Sequence, residues 1–153
     1  MPEIICAIEP LFPDLVKEIQ PLWREQYEEI SGCDPDVIVL DPDYVRLREM
    51  EKISAFVPIT CRVDGELIGY FFWLITPHLH YRKSLTAQDD VYYIQPLHRN
   101  LGAGRKMFEF AMQVCRDRKV KRVLLSCKVS HDHGQLIEAF GFKHFENLYE
   151  LIL

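Results

Sequence analysis

The chain has 153 residues, 48% of them hydrophobic and 27% charged, with a net charge of −5. That is globular usage for one domain over 1–153, with a core large enough that disorder is excluded and no disulfide or metal staple is needed. An acidic balance also argues against a general nucleic-acid binder, which needs a basic surface. The charge is uneven: residues 1–60 hold 5 Lys/Arg against 13 Asp/Glu, and residues 61–153 hold 13 against 10.

Residues 4–8 (Ile-Ile-Cys-Ala-Ile) are predicted as a first strand. The Met1-Pro2-Glu3 before them carries an acid where a secretory signal has bases. Leu15, Ile19, Leu22, Gln26 and Ile30 then recur at helical spacing, with Asp14 placed to cap and Gly32 placed to stop the helix. A second helix is predicted over 43–54, its apolar face marked by Tyr44, Leu47, Met50 and Ile53. Residues 56–63 read as a strand, Asp64-Gly65 as a hairpin turn, and 67–75 as a central strand. That last stretch is the longest apolar run and falls far short of the about 20 residues of a membrane-spanning helix.

Residues 76–89 are expected to form a long polar loop, and 91–94 a strand stopped by Pro96. A glycine-bearing turn over 99–104 opens a helix with Met107, Phe108, Ala111, Val114 and Cys115 inward. A basic connector (116–122), a buried strand (123–127), a short helix (135–140) ended by Gly141, and a last strand (143–153) complete the chain. The order β-α-α-β-β-β-α-β-α-β implies an α+β or α/β fold with a mixed central sheet and helices on both faces. The five cysteines (Cys6, Cys33, Cys61, Cys115, Cys127) are scattered and include no CxxC pair. They read as reduced thiols of a cytoplasmic protein.

The segment from Val91 to Arg105 carries the chemistry. A strand runs into a turn holding Gly102 and Gly104 and then into a helix, with Arg99, Arg105 and Lys106 close by. Glycine lets backbone approach an anion, and the first amides of a helix point outward with the positive end of its dipole. The pattern is neither GxGxxG nor a Walker A. The glycines alone suit a phosphate cradle and a ligand-free helix start equally well.

The wider segment resembles motif A of the GNAT family of acetyl-CoA-dependent N-acetyltransferases, (Q/R)-x-x-G-x-(G/A), in the form Arg99-Asn100-Leu101-Gly102-Ala103-Gly104. The element order is similar to the family's layout, and Leu136-Ile137-Glu138-Ala139-Phe140-Gly141-Phe142 resembles its (L/F)-Y-E-x-x-G-F segment. Residues 78–90, with His78-x-His80-Tyr81 and Asp89-Asp90, are similar to phage-encoded members.

The resemblance implies an N-acetyltransferase with acetyl-CoA as co-substrate, in which a primary amine attacks the thioester directly. It implies that the amides of Arg99, Asn100, Leu101, Gly102, Ala103, Gly104 and Arg105 cradle the CoA pyrophosphate. Tyr93, Ile94 and Gln95 would pair with the pantetheine arm, and the Ile94 amide would polarise the thioester carbonyl. One position departs: the family's usual Tyr, which commonly protonates the leaving thiolate, is Ile137 here. A non-catalytic GNAT-fold module that binds acyl-CoA, or a purely structural one, is therefore the alternative reading.

An acyl acceptor must be an unprotonated amine, and a carboxylate can take its proton. Asp90 is the first choice for that base and Asp89 the second, against the plain alternative of two solvated carboxylates. Trp23 and Tyr27, one turn apart, suit either an acceptor wall or ordinary core packing. His80 and Tyr81 are candidates for acceptor contact. The pairs His78/His80 and His131/His133 lack a third ligand, so no metal is expected; His131 and His133 are also candidate replacement acids. The basic run 116–122 lacks interleaved aromatics and suits a solvated helix end better than RNA. The expected partner is a small-molecule or peptide amine, cationic to match the acidic first 60 residues, with no nucleic acid and no membrane; a homodimer is compatible with this.

Overall fold

The computed structural model describes all 153 residues. Its centre is a five-stranded sheet in the order β1-β2-β3-β4-β5. The strands are β1 (Ile4–Ile8), β2 (Phe56–Val63), β3 (Glu66–His78), β4 (Tyr81–Ile94) and β5 (Arg122–Leu124). The first four pair antiparallel, and β5 joins β4 in parallel. Alternation along β3 divides the core. Leu67, Tyr70 and Phe72 face helices α1 (Val16–Ile30) and α2 (Tyr44–Lys52), whereas Ile68, Phe71, Trp73 and Ile75 face α3 (Ala103–Asp117) and α4 (Gly134–Ala139).

Each helix sits where its apolar stripe finds a partner. α1 buries Val16, Ile19, Leu22 and Trp23, and ends at Ser31 before Gly32, whose φ of 61° only glycine adopts freely. Asp14 does not cap it; the helix grows out of an irregular turn at Leu11–Leu15 with no side-chain cap. α2 is capped by Asp43, whose carboxylate accepts from the Arg46 amide at 2.9 Å. α3 buries Ala103, Met107, Phe108, Ala111, Val114 and Cys115, and is locked to the sheet where Trp73 Nε1 donates to Ala111 O at 3.1 Å. No helix is long and apolar enough to cross a membrane.

Three expectations are corrected. Residues 76–89 are not a loop: β3 and β4 run on as a hairpin closed by two residues, with His78 opposite Tyr81. The polar residues hid a period-2 strand in which Ala87 and Asp89 point inward while Gln88 and Asp90 do not. β5 is three residues long and ends at Leu124 rather than Cys127. The tail 143–153 forms no strand, so the sheet has five strands and not six. Its Phe145, Leu148 and Tyr149 are exposed. Apolar alternation makes a strand only where a neighbour closes the backbone bonds, and the tail has none.

The charge split resolves into ion pairs across the two halves. Arg62 is clasped by Glu9 at 2.8 Å and Glu18 at 2.7 Å, and Arg99 by Glu29 at 2.7 Å. These guanidinium partners hold all three glutamates below the usual carboxylate range. Three of the thirteen acidic residues of the first half are therefore paired with arginines of the basic half.

Candidate active site

β4 builds the site because it changes neighbours part-way along. On its β5 side the ladder covers only Thr86, Ala87 and Gln88. Beyond Gln88 the two strands part, and side chains bridge the gap instead. Asp89 accepts from the Ser126 amide at 3.0 Å and its hydroxyl at 2.9 Å, and Tyr92 Oη donates to Ser126 O at 2.5 Å.

On the β3 side, Gln95 N donates to Ile68 O at 2.9 Å, which makes Gln95–Ile68 a hydrogen-bonded pair. Antiparallel pairs alternate, so the pairs Ile94–Gly69 and Tyr92–Phe71 are the non-bonded kind. The amides of Tyr92 and Ile94 therefore turn away from β3, into the gap. Those of Tyr93 and Gln95 turn towards β3 and are not aimed at anything passing through it. Of the three strand residues expected to meet a pantetheine arm, only Ile94 offers its amide to the gap. Tyr92 is the residue the sequence reading missed, because nothing short of the register shows which way each amide points. The close approach of β4 to β3 here needs Gly69, where a Cβ would come within 2.5 Å of Tyr93 O.

The gap leads to the start of α3. Pro96–Leu101 form a short 3₁₀ segment, Gly102 takes a left-handed φ of 76°, and α3 begins at Ala103 without a side-chain cap. The first α-helical bond is Lys106 N to Gly102 O, at 3.1 Å. The amides of Ala103, Gly104 and Arg105 thus precede the ladder and remain available to an anion. At Gly104 an added Cβ would meet no protein atom within 4 Å. The residues present therefore fit a phosphate group, and they leave room for it. The Arg99 side chain does not join this cradle: it is committed to Glu29 and, through Nε, to Ile94 O at 2.9 Å.

On the opposite face, a cavity of about 540 Å³ opens between β4, α1 and α2. It brings together Trp23, Tyr27 and Asp90, with Phe72 and Met50 among its apolar walls and Asp43, Arg46 and Lys128 as its other charges. A bulge puts Asp90 there. Between Phe71 and Trp73 of β3, β4 spends three steps, Tyr92 to Asp89, against two, so Asp90 and its neighbour Val91 both reach the cavity. Desolvation by the walls raises the Asp90 carboxyl above its ordinary range.

Asp89 is separated from Asp90 by one residue step and by role. It is 8% exposed, bound to Ser126, and pushed by burial up to about 6. It fastens β4 to the chain beyond β5 and does not line the cavity. His80 and Tyr81 are exposed at the hairpin tip, where His78 stacks on Tyr81. Nine residue steps along the strand separate Tyr81 from Asp90, roughly 30 Å. They do not share its cavity. Ile137 is buried in the core against α3 and offers no proton.

A sequence profile of the acetyltransferase (GNAT) family matches residues 16–142. The chain belongs to the GNAT acetyltransferase family. Acetyl-CoA is the co-substrate of that family. Among solved structures, the chain is similar to the ribosomal-protein-alanine N-acetyltransferase of Brucella melitensis biovar Abortus 2308, at 17% identity and a TM-score of 0.70, covering 97% of this chain and 98% of that one. It is similar to a predicted acetyltransferase of Clostridium acetobutylicum solved with acetyl-CoA, at 14% identity and 0.73, covering 97% and 96%. It is also similar to glucosamine-6-phosphate N-acetyltransferase of Arabidopsis thaliana, at 14% and 0.68, covering 97% of both chains. Identities this low establish the shared fold alone. No curated protein sequence matches the chain.

Proposed function

We propose that this GNAT protein is a cytoplasmic N-acetyltransferase that moves acetyl from acetyl-CoA to a primary amine by direct attack. The observation that carries the reading is the junction at β4. One face of the strand's gap leads to a helix start free to hold a pyrophosphate, and the other meets a cavity holding an unpartnered carboxylate. The amides of Gly102, Ala103, Gly104 and Arg105 receive the pyrophosphate, whereas Asn100 and Leu101 lie in the 3₁₀ segment, which turns their amides towards its own carbonyls. Ile94 and Tyr92 offer their amides to the pantetheine arm and the thioester oxygen, where negative charge develops.

Asp90 takes the proton of the acceptor. A carboxyl raised above its usual range is a stronger base, better matched to neutral pH. The acceptor is cationic as an ammonium and is carried on an apolar body, because the cavity walls are mostly apolar while Asp43 and Asp90 are balanced by Arg46 and Lys128. The volume suits a small molecule or the end of a peptide. Thiol release from acetyl-CoA over a panel of amines tests the reading. Wild-type turnover is expected with apolar primary amines, and Asp90→Asn should lower kcat by about 10²-fold or more. An Asp90→Asn enzyme with wild-type rates from pH 6 to 9 removes Asp90 from the mechanism.

The buried Ile137 favours one other reading, a GNAT-fold module that binds acyl-CoA without turning it over. Thermal stabilisation by acetyl-CoA with no thiol release over the whole panel would select it.

A further inference from the structure

Acetyl transfer needs a proton for the leaving CoA thiolate, and Ile137 supplies none. One helical turn earlier on the same face stands His133, the residue that precedes α4. Its Nε2 contacts Tyr92 Oη, and its Nδ1 lies 2.9 Å from His131 O. A carbonyl only accepts, so Nδ1 carries a proton in either charge state. In the neutral ring Nε2 is then the acceptor of the Tyr92 hydroxyl. In the imidazolium Nε2–H donates to Tyr92 Oη, which frees the Tyr92 O–H to donate to Ser126 O, at 2.5 Å. Each state satisfies every donor of the group. Tyr92 Oη meanwhile spans, to Ser126 O, the same gap between β4 and the chain beyond β5 that the Tyr92 amide faces.

Resting on the acetyl-transfer reading above, we propose that Tyr92 hands a proton from His133 to the CoA thiolate, taking the part that position 137 does not play. As the tetrahedral intermediate collapses, the C–S bond breaks and sulfur keeps the electron pair. Tyr92 O–H turns from Ser126 O and gives its proton to that sulfur while Tyr92 Oη takes the Nε2 proton of the His133 imidazolium. His133 is left neutral, its Nδ1–H still donating to His131 O, and a proton from solvent restores the imidazolium. The amine's proton has gone to Asp90, so charge and protons balance. Tyr92 alone would not suffice: burial pushes its phenol above the ordinary range, well above a thiol near 8.5. The His133 imidazolium behind it replaces the proton as it leaves, so no buried phenolate forms.

The titratable and charged neighbours are Asp89 on β4, and Cys127 and Asp132 in the segment leading to α4. The His131 ring is turned to Ser130 Oγ, at 3.0 Å. From α3 and β3 the ring neighbours of Tyr92 are Phe108 and Phe71. Tyr92 is the catalytic residue, and His133 acts through it.

The test uses Tyr92→Phe, which keeps the packed ring, and His133→Gln. Turnover, acetyl-CoA binding and imidazole ¹⁵N shifts of the unliganded protein are followed across pH. The expected result is a kcat about 10²-fold lower in Tyr92→Phe and about tenfold lower in His133→Gln. Acetyl-CoA affinity should stay within about twofold. In the unliganded protein, His133 should carry Nδ1–H, and Tyr92→Phe should move its Nε2 signal. Wild-type turnover left intact by Tyr92→Phe overturns the assignment alone. So do kcat and affinity falling in step, or imidazole signals identical in both proteins. A wild type with no turnover on any amine refutes the acetyl-transfer reading and this proposal with it.

Discussion

Gly104→Ala separates what the fold needs from what the ligand needs. Inside a helix, alanine is favoured over glycine by up to about 1 kcal/mol. At Gly104 the new methyl meets no protein atom within 4 Å, so nothing in the fold opposes that gain. For a chain of this size, 1 kcal/mol corresponds to a Tm rise of about 2–4 °C. The same methyl would occupy the space in which the pyrophosphate meets the amides of Ala103, Gly104 and Arg105. A hydrogen bond to a charged group contributes about 1.5–3 kcal/mol. Displacing one should therefore weaken acetyl-CoA binding by roughly ten- to 150-fold. Differential scanning calorimetry and titration calorimetry read the two effects on one sample. A variant that melts higher and binds acetyl-CoA as tightly as the wild type would refute the cradle.

Gly69→Ala should behave in the opposite way. Its Cβ would be driven against the Ile94 side chain and Tyr93 O, costing about 1–3 kcal/mol of stability by overpacking, visible as a lowered Tm. Asp89 has a folded pKa of about 6, above its unfolded value, so the native state binds the extra proton. The stability it contributes is complete below about pH 4 and is lost as pH rises through 6, a change on the order of 3 kcal/mol. In denaturant titrations the wild type should lose stability relative to Asp89→Asn as pH rises through that window, whereas a pH-independent difference would contradict the raised value. Asp90 is also raised, so its turnover should fall on acidification at a pH above the ordinary carboxylate range, and Asp90→Asn should abolish that limb.

The sequence showed most of the frame because most of it is local. Helical spacing placed α1 and α3, and Asp64-Gly65, with φ of 49° and 88°, made the turn that joins β2 to β3. The glycines at 102 and 104 marked the helix start that can receive an anion. The missing parts depend on partners. The polar β3–β4 hairpin is held by cross-strand pairing, which composition does not show. Conversely, the apolar tail lacks a pairing partner and stays irregular. Asp89 and Asp90 look interchangeable in sequence, yet one bulge sends the second to the cavity while the first is buried against Ser126. Tyr92 was hidden for the same reason, since a residue's orientation in β4 follows from its register with β3.

Backbone amide chemical shifts recorded while acetyl-CoA is titrated into the ¹⁵N-labelled protein report where the co-substrate meets the backbone. Saturable changes are expected at Tyr92 and Ile94 in the gap and at Gly102, Ala103, Gly104 and Arg105 at the start of α3, with the hairpin tip around His80 and Tyr81 unmoved. Saturation without change at those amides, or with changes gathered at the hairpin tip, would contradict that placement.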